Sequence, residues 1–273
     1  MNIRTLHAIA NGLRKIGLLQ AVDWLLYLKE LININVIKAN REFLSNHIDF
    51  PVPPKHLAFD AYGGFRWEAY FNSGVMHAKV IGDILNKELT ADNVRIFEWG
   101  CGPGRIVRHL RGALTHRNVE LCGSDYNAES IEWCRENIKG VEFFTNQARP
   151  PFPFESNFLD CVCAVSVFTH LSEKMHFEWM KELRRVLKPN GLLIITTHSD
   201  SASDRLLSHE KQLYDSGKLV VRGNIKGGKK WCLAYHPSEF VRNELLETFT
   251  VVSQNYFLPT QDIWVAKKSG IMV

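Results

Sequence analysis

The sequence predicts an α/β protein: a doubly wound, mostly parallel sheet of seven strands with a C-terminal antiparallel hairpin, preceded by a helical extension. Three observations predict it. From about Val94 onward, strand-like and helix-like segments alternate, the pattern that builds a parallel sheet covered by helices. The run "LDCVCAVSV" is apolar at almost every position, as a central strand covered on both faces must be. Two strand-like segments close the chain with a short turn containing Pro259 between them, too short for a parallel crossover, so they pair as a hairpin.

Residues 1–90 form the extension and 91–273 the main domain. In the extension, two amphipathic helical stretches, about 3–46 and 74–88, flank "FPVPPKHLAFDAYGGFRWEAYFNSG", which is rich in proline, glycine and aromatics. Its Arg66, Trp67, Tyr70 and Phe71 read equally as a lid over a ligand and as aromatic packing. In the main domain the expected strands are Val94–Trp99, Val119–Asp125, Val141–Thr145, Leu159–Val167 and Leu192–Thr197, then "TFTVVSQNYF" and "QDIWVAKK". The helices between them are Gly104–Ala113, Ala128–Ile138 and Glu173–Leu187. In the last, Met175, Trp179, Met180, Leu183, Val186 and Leu187 share one face, Ser172 stands at the N-cap and "KPNG" ends it. A polar, helix-compatible stretch and a helix over Pro237–Phe249 follow the fifth strand.

Composition excludes several classes. Among 273 residues, 45% are hydrophobic and 23% charged, close to globular averages, which rules out a disordered or fibrous chain. The net charge of +4 is spread along the chain, and its densest cluster, "KGGKK" at Lys226–Lys230, reads as a solvated loop, so no nucleic-acid partner is expected. The six cysteines contain no CxxC pair and mostly lie in or beside apolar strands; they are read as reduced core residues, and no metal is expected. Arg14, Lys15, Asp23 and Lys29 interrupt the apolar N-terminal region, leaving no uncharged run of ~18 residues to span a membrane; the cytoplasm is the expected compartment.

The stretch "VRIFEWGCGPGRIVRHL" places a glycine-rich turn between the first strand and a helix, where the backbone approaches a ligand with no Cβ in the way. A dinucleotide site wants G-x-G-x-x-G. Counted from Gly100 the third glycine is replaced by Arg105, and counted from Gly102 by Val107, which disfavours a nicotinamide oxidoreductase. What stands instead is Glu98-x-Gly100-x-Gly102-x-Gly104, and "VELCGSDYN" ends a strand in Asp125, 21 residues past Gly104.

These two motifs resemble those of the class I S-adenosylmethionine (SAM) dependent methyltransferases, whose fold is Rossmann-like. "FPFESNFLDCVCAVSVFTHL" and "ELRRVLKPNGLLIITTH" are similar to that family's fourth-strand and fifth-strand regions. The resemblance implies SAM as cofactor and S-adenosylhomocysteine as product. It implies that Gly100, Gly102 and Gly104 line the methionine and ribose portion, with Glu98 orienting the loop or the amino group. Asp125 binds the ribose hydroxyls, Tyr126 stacks near adenine, and Ser166 faces the methionine part. Where many relatives carry an acid after the third strand this chain has "TNQARPP", so Asn146 or Gln147 takes that place.

The acceptor is narrowed by what is missing. The Asn/Asp-Pro-Pro-aromatic motif of base N-methyltransferases is replaced by "AVSVFTHL", and the Pro-Cys motif of cytosine C5 enzymes is absent. The wording of the chain also resembles stand-alone bacterial methyltransferases associated with polysaccharide or glycoconjugate synthesis. The expectation is therefore methyl transfer to an oxygen of a small molecule or of a sugar or glycan. His170 after strand four and His198 after strand five are the candidate bases, and His236 is a third histidine near the same strand ends. Methylation of RNA or protein, and a non-catalytic binding or scaffold protein with the extension filling the acceptor pocket, are the competing readings.

Overall fold

The computed structural model describes residues 19–116, 118–223 and 232–269. Its strands are β1 (Asn93–Trp99), β2 (Asn118–Asp125), β3 (Glu142–Thr145), β4 (Leu159–Ala164), β5 (Leu187–His198), β6 (Val220–Arg222), β7 (Leu233–Tyr235), β8 (Phe249–Leu258) and β9 (Gln261–Lys268). Seven of them make one sheet in the order β3-β2-β1-β4-β5-β9-β8, and β6 pairs with β7 in a separate two-stranded sheet. The β1/β4, β2/β3 and β4/β5 pairs are parallel, whereas β9 runs antiparallel to both β5 and β8. The expected seven-stranded sheet with its terminal hairpin is what forms. Its winding reverses between β1 and β4, and open sheets of this kind bind ligands at the carboxyl ends of their strands beside that reversal.

By internal contacts the described residues fall into two compact units, one ending its first segment at Val94 and resuming over Cys101–Thr145, the other comprising Arg95–Gly100 and the chain from Asn146 onward. The first contains helices α1 (Leu19–Leu31), α2 (Ile34–Asn46), α3 (Lys55–Tyr62), α4 (Trp67–Glu88), α5 (Val107–Ala113) and α6 (Ala128–Asn137). The second contains α7 (Glu173–Val186), α8 (Ser208–Asp215) and the single turn α9 (Ser238–Phe240). Its core is the middle of the sheet, where Cys161, Val162, Cys163, Leu192, Leu193 and Ile194 are fully buried, as the unbroken apolar run requires.

Local chemistry explains where boundaries differ from expectation. The first helical stretch is broken at Ile32–Asn33, because the Asn33 side chain accepts the Asn35 N–H (3.0 Å) and starts α2; residues 3–18 of that stretch lie outside the described residues. Helix α4 begins at Trp67 rather than residue 74. Arg66 offers no capping side chain, but Asn40 of α2 accepts the Trp67 N–H at 2.9 Å and donates to the Phe65 carbonyl at 2.8 Å, so a residue 27 positions away supplies the cap. Trp67 and Tyr70 are buried with Val36, Phe43, Phe59 and Phe65, so this aromatic segment packs a core of its own.

In the second unit β4 stops at Ala164 because Ser166 has φ +62°. Helix α7 ends at Val186, and β5 starts at Leu187 with Asn190 at φ +62° and a register shift against β4. Ser172 stands at the N-cap of α7, yet no side-chain cap bond forms; its carbonyl instead holds His176 Nδ1 at 2.8 Å. The expected helix over Pro237–Phe249 is only α9 followed by a π-helical turn, Val241–Leu245. Strands β6 and β7 were not expected, since three residues carry too little periodicity to read. The lysine cluster at 226–230 lies outside the described residues.

Candidate cofactor and acceptor site

The glycine loop leaves β1 with all three predicted glycines in the left-handed region: Gly100 at φ +74°, Gly102 at +51° and Gly104 at +71°. In the second unit, a Cβ on Gly100 would lie 2.4 Å from Val167 Cγ2, so the turn out of the strand is closed to any side chain. Glu98 is buried in β1, in register with Cys163 of β4. A hydrogen bond with Cys161, burial and the Glu98 carboxylate together push the Cys163 thiol well up, so it stays protonated. Ser166, a residue with a Cβ held at positive φ, donates its hydroxyl to Gln261 Oε1 (3.0 Å), while its N–H goes to Thr196 Oγ1 (2.7 Å). Strain of that kind at a strand end marks a position the surrounding structure has over-determined. Asn146 is buried and donates to the Gln147 carbonyl (2.8 Å), and Gln147 is exposed.

In the first unit the Asp125 carboxylate, at the end of β2, accepts the N–H of Gly102 (2.9 Å) on one oxygen and that of Asn127 (2.9 Å) on the other. Asn127 in turn caps α6, accepting from Glu129 and Ser130. Burial pushes the Asp125 carboxyl up, and these backbone donors oppose it. A carboxylate has about four acceptor positions, so Asp125 retains capacity for the hydroxyls of a ribose; the donor set fits the adenosyl group that the motif implies. Tyr126 is half exposed at 49%, as a face for stacking must be, and burial with the charge of Asp60 pushes its phenol up to about 12. Gly104 closes the loop against α6, where a Cβ would lie 2.3 Å from Ile138 Cδ1.

The histidines belong to the second unit. His170 ends a 3₁₀ turn after β4, and its Nδ1 lies 2.9 Å from the Cys232 carbonyl. His198 ends β5, stacks on Tyr235 (centroids 4.8 Å), and has Nδ1 2.6 Å from the Ala234 carbonyl. A carbonyl only accepts, so both rings carry the proton on Nδ1 and present a lone pair on Nε2. Burial holds both below the ordinary histidine range, His198 at about 4. His236 is fully buried against His176 (Nε2 to Nε2, 2.8 Å) and faces the interior. Among the described residues, no group of three or more His, Cys, Asp or Glu is placed to hold a metal ion, and no helix is long and apolar enough to cross a membrane.

A family model described as "Methyltransferase domain" matches residues 96–191, from β1 through the start of β5. Over 106 residues the chain is 29% identical to the tRNA N(3)-methylcytidine methyltransferase Mettl2 of Drosophila melanogaster, covering 36% of this chain and 33% of that protein. Over 136 residues it is 27% identical to the ubiquinone/menaquinone biosynthesis C-methyltransferase UbiE of Pseudomonas paraeruginosa, covering 48% of this chain and 52% of that one. The chain thus spans between a third and about half of these relatives. Among solved structures, the PH0226 protein of Pyrococcus horikoshii superposes with a TM-score of 0.56 at 19% identity, covering 74% of this chain and 96% of that one. The match over residues 96–191 is thus to a methyltransferase domain, the sheet has the Rossmann-like fold of SAM-dependent methyltransferases, and SAM is the cofactor of such domains.

Sequence reasoning did not find helix α3. Within the first unit, a Cβ on Gly102 would lie 3.2 Å from Tyr62 Oη and 3.4 Å from Ala61 Cβ, so α3 lies on the glycine loop. Arg105, just after the loop, donates to Ser73 Oγ (3.1 Å), meets His77 Nδ1 (2.8 Å) and stacks over the Tyr62 ring (4.9 Å). Tyr70 Oη donates to the Pro103 carbonyl at 2.7 Å. The Cys232 and Ala234 carbonyls that set the two histidine tautomers were missed as well, because main-chain atoms leave no residue-type signal.

Proposed function

We propose that this chain is a SAM-dependent methyltransferase that methylates an oxygen of a small-molecule or sugar or glycan acceptor, with residues 1–90 as the extension and 91–273 as the catalytic domain. Glu98, Gly100, Gly102, Gly104, Asp125, Tyr126, Asn146, Gln147 and Ser166 hold the cofactor in this reading. SAM, when bound, supplies a methyl on a positively charged sulfur whose departure leaves a neutral thioether. Asp125 accepts the ribose hydroxyls with the lone pairs that Gly102 and Asn127 leave on its two oxygens, which ties ligand binding to the set of the loop.

The observation that carries the acceptor side is the pair of bonds from His170 and His198 to the Cys232 and Ala234 carbonyls. Two neutral imidazoles with open Nε2 lone pairs suit an uncharged proton donor such as a hydroxyl better than an anionic group. Their low basicity is no obstacle. The hydroxyl proton becomes strongly acidic only as its oxygen gains the methyl, so a weak acceptor held in place is enough. Tautomer and position come from Ala234 of β7 and from Cys232 just before it, which makes the β6/β7 sheet a support for the acceptor side.

Calorimetry of the chain with S-adenosylhomocysteine, with NAD as control, tests the cofactor half; binding of NAD alone would end this reading. Mass spectrometry of hydroxyl-bearing acceptors incubated with SAM tests the acceptor half. His198→Ala should lower kcat for the best acceptor by about 10²–10⁴-fold if it takes the proton, while leaving S-adenosylhomocysteine affinity within twofold. Methylation confined to a tRNA or a carbon nucleophile would move the assignment toward the chemistry in the names of the two curated relatives.

A further inference from the structure

Within the second unit, His170 and His198 stand at the carboxyl ends of β4 and β5. At the opposite ends of the same strands lies a cleft of about 520 Å³, with Asn157, Pro150 and Pro189 in its walls. Four cations line it: Lys181, Arg184 and Arg185 of α7, and Lys268 at the end of β9. Two carboxylates line it as well, and both are engaged. Glu182 takes Arg185 on its two oxygens (2.8 and 2.6 Å) and the Phe152 N–H at 2.7 Å, while Glu178 lies 3.6 Å from Lys174 and 3.8 Å from Arg149. Arg184 and Lys268 meet only neutral acceptors, and the exposed Lys181 meets none; among the described residues no carboxylate is within ion-pair reach of these three.

Basic residues in the last turn of a helix ordinarily complement its carbonyl end. Here that end is already satisfied, because the Asn157 and Phe158 N–H groups donate to the Arg185 and Val186 carbonyls, both at 2.9 Å. Arg184 turns instead to the Thr248 carbonyl and, through Nη2, to the Ser269 carbonyl at 3.3 Å. Lys268 Nζ donates to Asn157 Oδ1 and to the Leu187 carbonyl, each at 2.6 Å. An ammonium has three donors and a guanidinium five, so these bonds fix both cations and leave each with donors to spare. Burial and the charge of Arg184 hold the Lys268 amine below the ordinary lysine range. Like charges kept together without a counter-charge are a cost that an anion in the cleft removes. We propose that this cleft binds a small organic phosphate, whose oxygens accept from Arg184 and Lys268 and whose body rests on Pro150 and Pro189, with Lys181 adding a positive charge at the rim. Arginine and lysine together suit an oxyanion with several acceptor oxygens. The volume falls in the range of about 300–1,000 Å³ usual for small-molecule pockets, which leaves room for more than the phosphate group. The inference goes beyond the proposed methyl transfer and uses neither the cofactor residues nor the histidines.

The test is calorimetry of the full chain at fixed ionic strength with phenyl phosphate, inorganic phosphate and phenol. Phenyl phosphate should bind, inorganic phosphate more weakly, and phenol not at all. Arg184→Met should weaken phenyl phosphate by about ten- to a hundredfold, the effect expected of hydrogen bonds between charged groups. Lys181 is exposed and bonded to nothing, so Lys181→Met leaves the fold intact; it should weaken the same ligand by about two- to fivefold, as loss of an exposed charge contact does. Both variants should keep the parent's affinity for S-adenosylhomocysteine. A parent chain that takes up neither phosphate overturns the inference, and so do two variants that both bind phenyl phosphate as the parent does. Inorganic phosphate bound as tightly as phenyl phosphate overturns the organic body, and a DNA duplex held through the same residues when the small phosphates are not overturns the small ligand. Phosphate binding by a chain that ignores S-adenosylhomocysteine would overturn the cofactor reading and leave this one standing.

Discussion

The carboxylate of Asp125 accepts the backbone N–H of Gly102 at 2.9 Å, joining the end of β2 to the middle of the glycine loop. One side chain therefore both sets the loop and, in the proposed function, holds the ribose. Asp125→Ala removes both roles and leaves two backbone donors without their acceptor. The expected outcome is no measurable heat with S-adenosylhomocysteine at concentrations that saturate the parent, with stability lowered by roughly 1–3 kcal/mol. A folded variant with parental affinity would refute the ribose role.

Gly104 is held at φ +71° with the space for a Cβ filled by the end of the Ile138 side chain. Gly104→Ala should destabilise the chain by about 1–3 kcal/mol in urea unfolding, through backbone strain and overpacking. Adding Ile138→Val removes the Cδ1 atom that clashes. The double variant should regain part of the loss, and the part it does not regain measures the cost of the positive φ alone.

Arg222 of β6 and Glu210 of α8 form a buried ion pair, with Nε to Oε1 at 2.8 Å and side chains 3% and 9% exposed. Burial alone would raise the Glu210 carboxyl, but hydrogen bonds from Arg222 and the Leu207 N–H hold it low. Glu210→Ala strands a buried guanidinium and should cost about 3–5 kcal/mol. Because the cost is that of the unpaired charge, Glu210→Ala combined with Arg222→Met should be milder than the single change. The single variant should also lower kcat more than it weakens cofactor binding, since β6 supports the strand whose Ala234 carbonyl holds His198 and which Cys232, the partner of His170, immediately precedes.

Burial holds His77, His109, His176 and His198 at about 4, against about 6.5 for an exposed histidine. Between these values the unfolded chain takes up protons that the native chain refuses, so the contribution of these neutral rings is complete above about pH 6.5 and is lost as pH falls toward 4. The raised carboxyl of Asp125 acts in the opposite sense, and the lowered Glu210 matters only below its unfolded value. Urea midpoints should therefore fall steadily from pH 7 to pH 5. In His176→Gln, which removes a fully buried ring, that fall should be shallower; an unchanged slope would show that His176 does not carry this linkage.

Much of the fold was legible because sheet and helix signals are local. The apolar run of β4, the Pro259 turn and the glycine loop each announce an element through residues adjacent in the chain. What misled was chemistry supplied from elsewhere. Asn40 starts α4 at Trp67 by reaching across 27 positions, and the positive φ of Ser166 ends β4 about three residues before the apolar pattern does. The acid at the end of β2 was readable for a similar reason, since a spacing of 21 residues is set by one strand–helix–strand unit of regular length; that it accepts the Gly102 N–H came only with the structure.

By itself the sequence determined the sheet and its terminal hairpin, the glycine loop, and the acid that meets it, because each follows from periodicity or from a residue type that one backbone conformation demands. Tertiary structure alone decided which histidine nitrogen is open, since the main-chain carbonyls of Cys232 and Ala234 make that choice, and which part of the extension reaches the loop. Helix α3 carries no motif in the letters Lys55 to Tyr62. Its place on the glycine loop shows only through what Gly102 and Glu129 meet when the chain is folded.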